Sequence, residues 1–362
     1  MYNFMYKIGI THGDTNGIGY EMILNVFSDS RVTELFIPVL YGSSKVAAYH
    51  RKTMEIQTMN LHAIDQATDA VQNRLNVINC VDDEIKVELG KYTPESGNAA
   101  LHSLERAVKD LNEGKIEAII TLPAIIHEIQ RNGMKYSGQT EFVETSVGMT
   151  NQSLGILVKE NLRIALVTGN IPLAEVATQL KEELIFKKLS DLQTSLIRDF
   201  AVSAPRIAVL SLNPNTTPEN PGKEESEQII PAMDKASKSG IFCFGPYASN
   251  DFFGSDHYTK FDAILAMYYD QGLIPFRTLA TQDGVYFNAG LPIVRTAPNM
   301  GPSFDIAGKN IAPEGALLNA IYLAIDIIRN RKTDDEINAN PLKKHYFEKG
   351  LDNEKLDLTS DN

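Results

Sequence analysis

Arg295 closes a run that reads as buried, Gly290-Leu291-Pro292-Ile293-Val294. A guanidinium in such a place suits a carboxylate or a phosphate; an ion pair to a structural aspartate such as Asp305 is the other reading. Three further polar stretches follow apolar runs: Thr168-Gly169-Asn170, Asn213-Pro214-Asn215 and Tyr268-Tyr269-Asp270-Gln271-Gly272. The carboxyl ends of strands are where open α/β sheets place ligands, although asparagine is also an ordinary turn residue. Near the amino end, Gly13, Gly17 and Gly19 follow an apolar strand and open a helix. Their backbone N–H groups can face an anion, or the segment is a tight turn with Asp14 as a helix cap. The glycine spacing is not G-x-G-x-x-G, so the dinucleotide fingerprint does not apply. Thr140, followed by Glu141, reads as a helix cap. Because a free imidazole titrates near neutrality, His12, beside the glycine turn, and His127 are candidate acids or bases, or simply surface or satisfied polar residues.

These residues need a scaffold, and the hydropathy pattern supplies one. Short apolar runs alternate with amphipathic stretches. Residues 7–11, 35–41, 75–80, 117–121, 162–168, 206–212, 241–244 and 262–267 read as strands. Leu101, Leu104, Ala107, Val108 and Leu111 recur at helical spacing, and Gly114 suits the helix end. Helices are also expected over 182–200, 224–238 and 316–330. Helix, turn and strand in repeated order build a largely parallel α/β sheet.

The chain has 362 residues, 43% of them hydrophobic, with a formal net charge of -12. That length suits two lobes with a sizeable core. The acidic balance disfavours nucleic acid and anionic lipid as partners. Cys80 and Cys243 stand far apart with no C-x-x-C spacing, which fits two reduced, inert thiols. No basic segment followed by an apolar stretch marks a signal peptide, and no apolar run is long enough to span a bilayer, so the cytoplasm is the expected location. Residues 351–362 are polar and acidic and read as a frayed tail.

Taken together, the segments from Gly13-Asp14 and Gly17-Ile18-Gly19 to Asp305-Ile306-Ala307-Gly308-Lys309 make the chain resemble the 4-hydroxythreonine-4-phosphate dehydrogenase family of pyridoxal phosphate biosynthesis. The resemblance implies an isocitrate/isopropylmalate dehydrogenase-like fold, two α/β/α lobes with a cleft between them. The implied lobes are 1–122 with about 296–350, and 123–295 with the interface of a homodimer. It also implies NAD as cofactor and oxidation, then decarboxylation, of a small phosphorylated hydroxy-amino acid. Gln139, Thr140, Arg277, Tyr286 and Arg295 fall on substrate-binding positions, and Gly245, Pro246 and Asn250 on cofactor-binding ones. Several positions depart from the family pattern. The three histidines that hold a divalent metal there are Asn170, Asn215 and Tyr269 here. Gln139 replaces a histidine, Arg277 and Ile126 replace lysines, and Tyr286 replaces an asparagine. Asn250 stands for an aspartate, and Asn299-Met300 for an Asp-His pair. Two amides and a phenol do not hold zinc as imidazoles do, whereas magnesium can bind weakly through Asn and Asp270 oxygens. Tyr269 and Tyr286 are expected to fill part of the metal cavity. Two readings follow: a dehydrogenase with a rebuilt site, or a non-catalytic paralogue that binds a small anion or regulates a true dehydrogenase.

Overall fold

Runs of aliphatic residues form the strands, and those at Ile37–Gly42, Ala118–Thr121, Ile207–Leu210, Ala263–Ala266 and Val294–Pro298 are buried end to end, as expected for a sheet covered on both faces. The computed structural model describes residues 5–340 except 57, 58, 60, 83, 126–128, 132, 133, 137, 151 and 218. Expectations for Ile126, His127 and the tail at 351–362 lie outside the described residues.

The strands are β1 (Lys7–Thr11), β2 (Ile37–Gly42), β3 (Leu61–Ile64), β4 (Leu75–Asn79), β5 (Ala118–Thr121), β6 (Ile129–Arg131), β7 (Met134–Tyr136), β8 (Leu154–Lys159), β9 (Leu162–Leu166), β10 (Ile207–Leu210), β11 (Cys243–Tyr247), β12 (Ala263–Ala266), β13 (Val285–Ala289) and β14 (Val294–Pro298). The helices are α1 (Gly19–Val26), α2 (Ser44–Thr53), α3 (Pro94–Asn112), α4 (Gln139–Ser146), α5 (Leu173–Gln179), α6 (Glu182–Arg198), α7 (Ile230–Lys238), α8 (Ser249–Phe253), α9 (Tyr269–Leu279) and α10 (Gly315–Asn338).

Twelve strands form one sheet in the order β11-β10-β12-β9-β8-β13-β14-β5-β1-β2-β4-β3, and β6 and β7 form a separate hairpin. Both ends of the large sheet are parallel. Its middle is antiparallel, where β13 pairs with both β8 and β14. Strand β14 then runs parallel to β5 and joins the two halves. One apolar core runs along one face under α1, α2, α6, α7 and α10. The other face carries two separate cores, one under α3 and α4 and one under α8 and α9. In β8, Ile156 and Val158 face α6 while Leu157 faces α9, the alternation expected of a strand.

Three expected elements shift. The strand placed at 241–244 is β11, because Ile241 N–H closes the end of α7 on Ala236 O and so cannot join a ladder. Pro246 is tolerated inside β11 because that strand is an edge. The helix placed at 224–238 opens with a wide turn at Glu225–Ile229 before α7. Pro231, lacking an N–H, stands at that change of winding. Helix α10 outruns its expected end at 330 by eight residues, whose outer turns are largely exposed. Among the described residues, no helix is long and apolar enough to cross a membrane.

Candidate functional site

The C-terminal ends of β5, β9 and β14 open onto a cleft of about 710 Å³, closed by α4, the start of β8, α9 and Tyr286 of β13. This is the strand-end location where α/β sheets carry ligands. Arg295 sits in its wall, only 4% exposed. Its Nε and Nη2 donate to Thr121 Oγ1 at 3.1 and 2.8 Å. Its Nη1 donates to Thr140 Oγ1 at 2.8 Å and to Asn288 Oδ1 at 2.5 Å. Asp305 is no partner: the guanidinium is satisfied by hydroxyl and amide oxygens, and burial lowers its pKa to about 10. A buried cation held this way costs least when its donors are used, as here.

Thr140 does not cap α4. Gly138 holds the cap position, and Thr140 lies inside the first turn with its hydroxyl turned to Arg295. Gln139 donates from Nε2 to Leu122 O at 3.1 Å and ties the helix start to the end of β5. Tyr286 lies across Gly155, where an added Cβ would fall 2.9 Å from two ring carbons. Burial pushes the Tyr286 phenol pKa up, while the Arg295 charge and a hydrogen bond with Thr140 oppose the shift. Tyr269 and Tyr286 both line the cleft. Arg277 is exposed and makes one bond, Nη2 to Asn299 Oδ1 at 3.3 Å.

The wall also holds a pair that sequence reasoning missed, Glu144 and Lys188. Lys188 Nζ donates to Ser153 O at 2.9 Å, and Ser153 Oγ donates to Glu144. Asn288 Nδ2 donates to the same Ser153 Oγ at 3.0 Å, linking this pair to Arg295. Burial, and then the neighbouring Lys187 charge, pull the Lys188 ammonium below the ordinary lysine range. Lysine in the middle of an amphipathic helix reads as a solvated face, so nothing local marked it out.

The glycine turn is not an anion site. Asn16 N–H goes to Asp14 Oδ1, Gly17 N–H to Asp14 O, and Ile18 N–H to Pro302 O. Asp14 does not cap α1; it closes its own turn and accepts from Ser96 Oγ at 3.1 Å. His12 is fully buried behind this turn, stacked on Tyr20, away from the cleft.

The resemblance puts metal-binding histidines, shared across a dimer interface, at Asn170, Asn215 and Tyr269. Asn170 and Tyr269 line the cleft. Asn215 is exposed, takes a left-handed φ of 58°, and is not among the lining residues. Among the described residues, no three His, Cys, Asp or Glu side chains group as metal ligands. Neutral amide oxygens and a phenol do not fit a zinc-type ion. Gly245, Pro246 and Asn250 do not line the cleft either. Gly245 and Pro246 lie in the second half of β11 and Asn250 in α8, across the short β11–α8 turn, and Gly245 and Asn250 are exposed. Gln271 of α9 ties to the start of α8: its Nε2 donates to Ser249 Oγ at 2.8 Å and to Ser211 O at 2.6 Å, two residues along from the cleft-lining Tyr269.

Over residues 34–324 the chain matches the family described as pyridoxal phosphate biosynthetic protein PdxA. The chain belongs to this family. It is 51% identical over 353 residues to the 4-hydroxythreonine-4-phosphate dehydrogenase of Bacteroides thetaiotaomicron, covering 97% of each chain. It is 37% identical over 323 residues to the protein of the same name from Aquifex aeolicus, covering 89% of this chain and 98% of that one. Among solved structures, the 4-hydroxythreonine-4-phosphate dehydrogenase of Klebsiella pneumoniae superposes with a TM-score of 0.75 at 27% identity, over 91% of this chain and 99% of that chain. The family's α/β architecture extends to a terephthalate 1,2-cis-dihydrodiol dehydrogenase of Burkholderia xenovorans, with a TM-score of 0.58 at 22% identity, over 89% of this chain and 98% of that one. The cleft that carries Arg295, Thr140 and Arg277 is the candidate site of this chain.

Proposed function

We propose that this chain is a 4-hydroxythreonine-4-phosphate dehydrogenase that oxidises a phosphorylated hydroxy-amino acid with NAD and works as a homodimer. The observation that carries this reading is a relative of that name, identical at 51% of positions across 97% of both chains. The cleft suits the substrate class. Arg277 offers an exposed guanidinium for a phosphate, with the fork geometry such groups favour. Arg295 locks Thr140 and Thr121 so that the wall is preorganised.

Oxidation takes a hydride from the carbinol carbon and a proton from its oxygen. NAD, when bound at the β11–α8 turn, supplies the hydride acceptor. The Tyr286 phenol stays protonated because of its burial, so it acts as a hydrogen-bond donor to the carbinol or ketone oxygen. No step is routed through a metal, because Asn170 and Tyr269 do not form a transition-metal site.

That same donor set favours a second reading, a protein that binds the substrate without turning it over. The test is NADH absorbance with purified protein, NAD and 4-phosphooxy-L-threonine, beside the Bacteroides thetaiotaomicron relative as control. NADH formation above the no-substrate blank is the expected result. No NADH, with substrate binding retained, would replace the dehydrogenase reading with the binding one.

A further inference from the structure

Among the described residues, three cationic side chains line the cleft, Arg295, Arg277 and Lys188. Their donors are used very differently. Arg295 commits four of its five N–H groups to Thr121, Thr140 and Asn288. It is a framework residue with little left for a ligand. Lys188 has three donors, and Ser153 O takes one of them. Arg277 is exposed and shares a single bond with Asn299.

A phosphorylated amino acid carries two acids and one ammonium, so its cleft needs two separated cations and one carboxylate. Helices α6 and α9 pack on opposite faces of the sheet, so Lys188 and Arg277 reach the cleft from opposite sides. Beside Lys188 stands Glu144, a buried carboxylate that also lines the cleft. Ser153 bonds to both and fixes their spacing. Paired opposite charges at one end suit the zwitterionic head of an α-amino acid.

We propose that Lys188 and Glu144 form the head-group end of the cleft, with Lys188 binding the substrate carboxylate and Glu144 its ammonium, while Arg277 takes the phosphate. This rests on the substrate class proposed above. It assigns recognition to a lysine on α6, an element that sequence reading gave no role in binding.

The test is binding by calorimetry, which does not depend on turnover. The probes are 4-phosphooxy-L-threonine, which carries the head group, and inorganic phosphate, which does not. Lys188→Met is expected to weaken the first probe by about tenfold to a hundredfold, the usual loss of a charge-assisted bond. Phosphate affinity is expected to stay within about twofold. Lys188→Arg keeps the charge and is expected to recover part of the loss. Folding of Lys188→Met is checked separately by its urea midpoint, so an equal loss for both probes is not a folding defect.

Equal affinity of Lys188→Met and wild type for 4-phosphooxy-L-threonine would overturn the proposal, as would an equal loss for both probes. Binding that depends on Lys188 without NADH formation would overturn the dehydrogenase reading and leave this one standing. Wild-type protein that does not bind 4-phosphooxy-L-threonine would overturn both.

Discussion

Tyr286 and Gly155 form a matched pair in which each residue makes sense only with the other. The phenol ring occupies the space a side chain at 155 would need. Gly155→Ala should therefore cost about 1–3 kcal/mol, the range of an overpacked site. Pairing it with Tyr286→Asn should recover most of that loss. A double-mutant cycle by urea denaturation would read a coupling on the order of 1 kcal/mol, as residues in contact give; strictly additive effects would show that the ring simply swings aside. Residue types alone did not reveal this pair, because 131 positions separate its members and only the pairing of β8 with β13 brings them together. Arg295 and Thr140 were legible as polar residues in special places, but the sequence offered Asp305 and a helix cap as their partners. Their real partners are each other.

At the scale of elements, α6, α10 and the segment before β14 meet on one buried ion pair. Arg331 Nε donates to Asp199 Oδ1 at 2.6 Å, and its Nη1 donates to Leu291 O and Ile293 O, each at 3.1 Å. Both side chains are buried. Arg331→Met leaves Asp199 as an unpaired buried charge and should cost about 3–5 kcal/mol, whereas Arg331→Met with Asp199→Leu should be far milder. Equal urea midpoints for the single variant and wild type would refute this. Most strands of the two parallel ends were readable from apolar runs. The antiparallel middle was not: neither β8 nor β13 is among the expected strands, and β13 carries Tyr286 and Asn288 among its apolar residues. The Gly308 segment was also readable as a motif without a reason. The fold supplies one, since Glu21 accepts from Gly308 N at 3.0 Å and from Ala312 N at 2.8 Å.

For the whole molecule, acid sensitivity follows from the stack of His12, Tyr20 and His50, with ring centroids 5.1 Å apart at each step. Burial lowers the His12 pKa to about 3 and the His50 pKa to about 4, with backbone contacts offsetting part of the shift. The unfolded imidazoles titrate at 6.5. The folded state thus favours the neutral rings: their contribution is fully present above pH 6.5 and is lost as pH falls toward the folded values. Each histidine removes roughly 1.4 kcal/mol per pH unit over that window. Urea midpoints should drop clearly between pH 7.5 and pH 5, and less so in His50→Gln; a flat profile would contradict the buried neutral stack. The joining strand β14 sets a different kind of constraint, one of time. β5 is made early, but the edge that faces β14 stays open until Val294 leaves the ribosome. At 5–20 residues per second the wait between Thr121 and Val294 is roughly 9–35 s. An open edge of Ala118, Ile119, Ile120 and Thr121 is a template for pairing with other nascent chains. A cell making this protein must shield a half-built sheet for that interval, and slower translation lengthens the exposure in direct proportion.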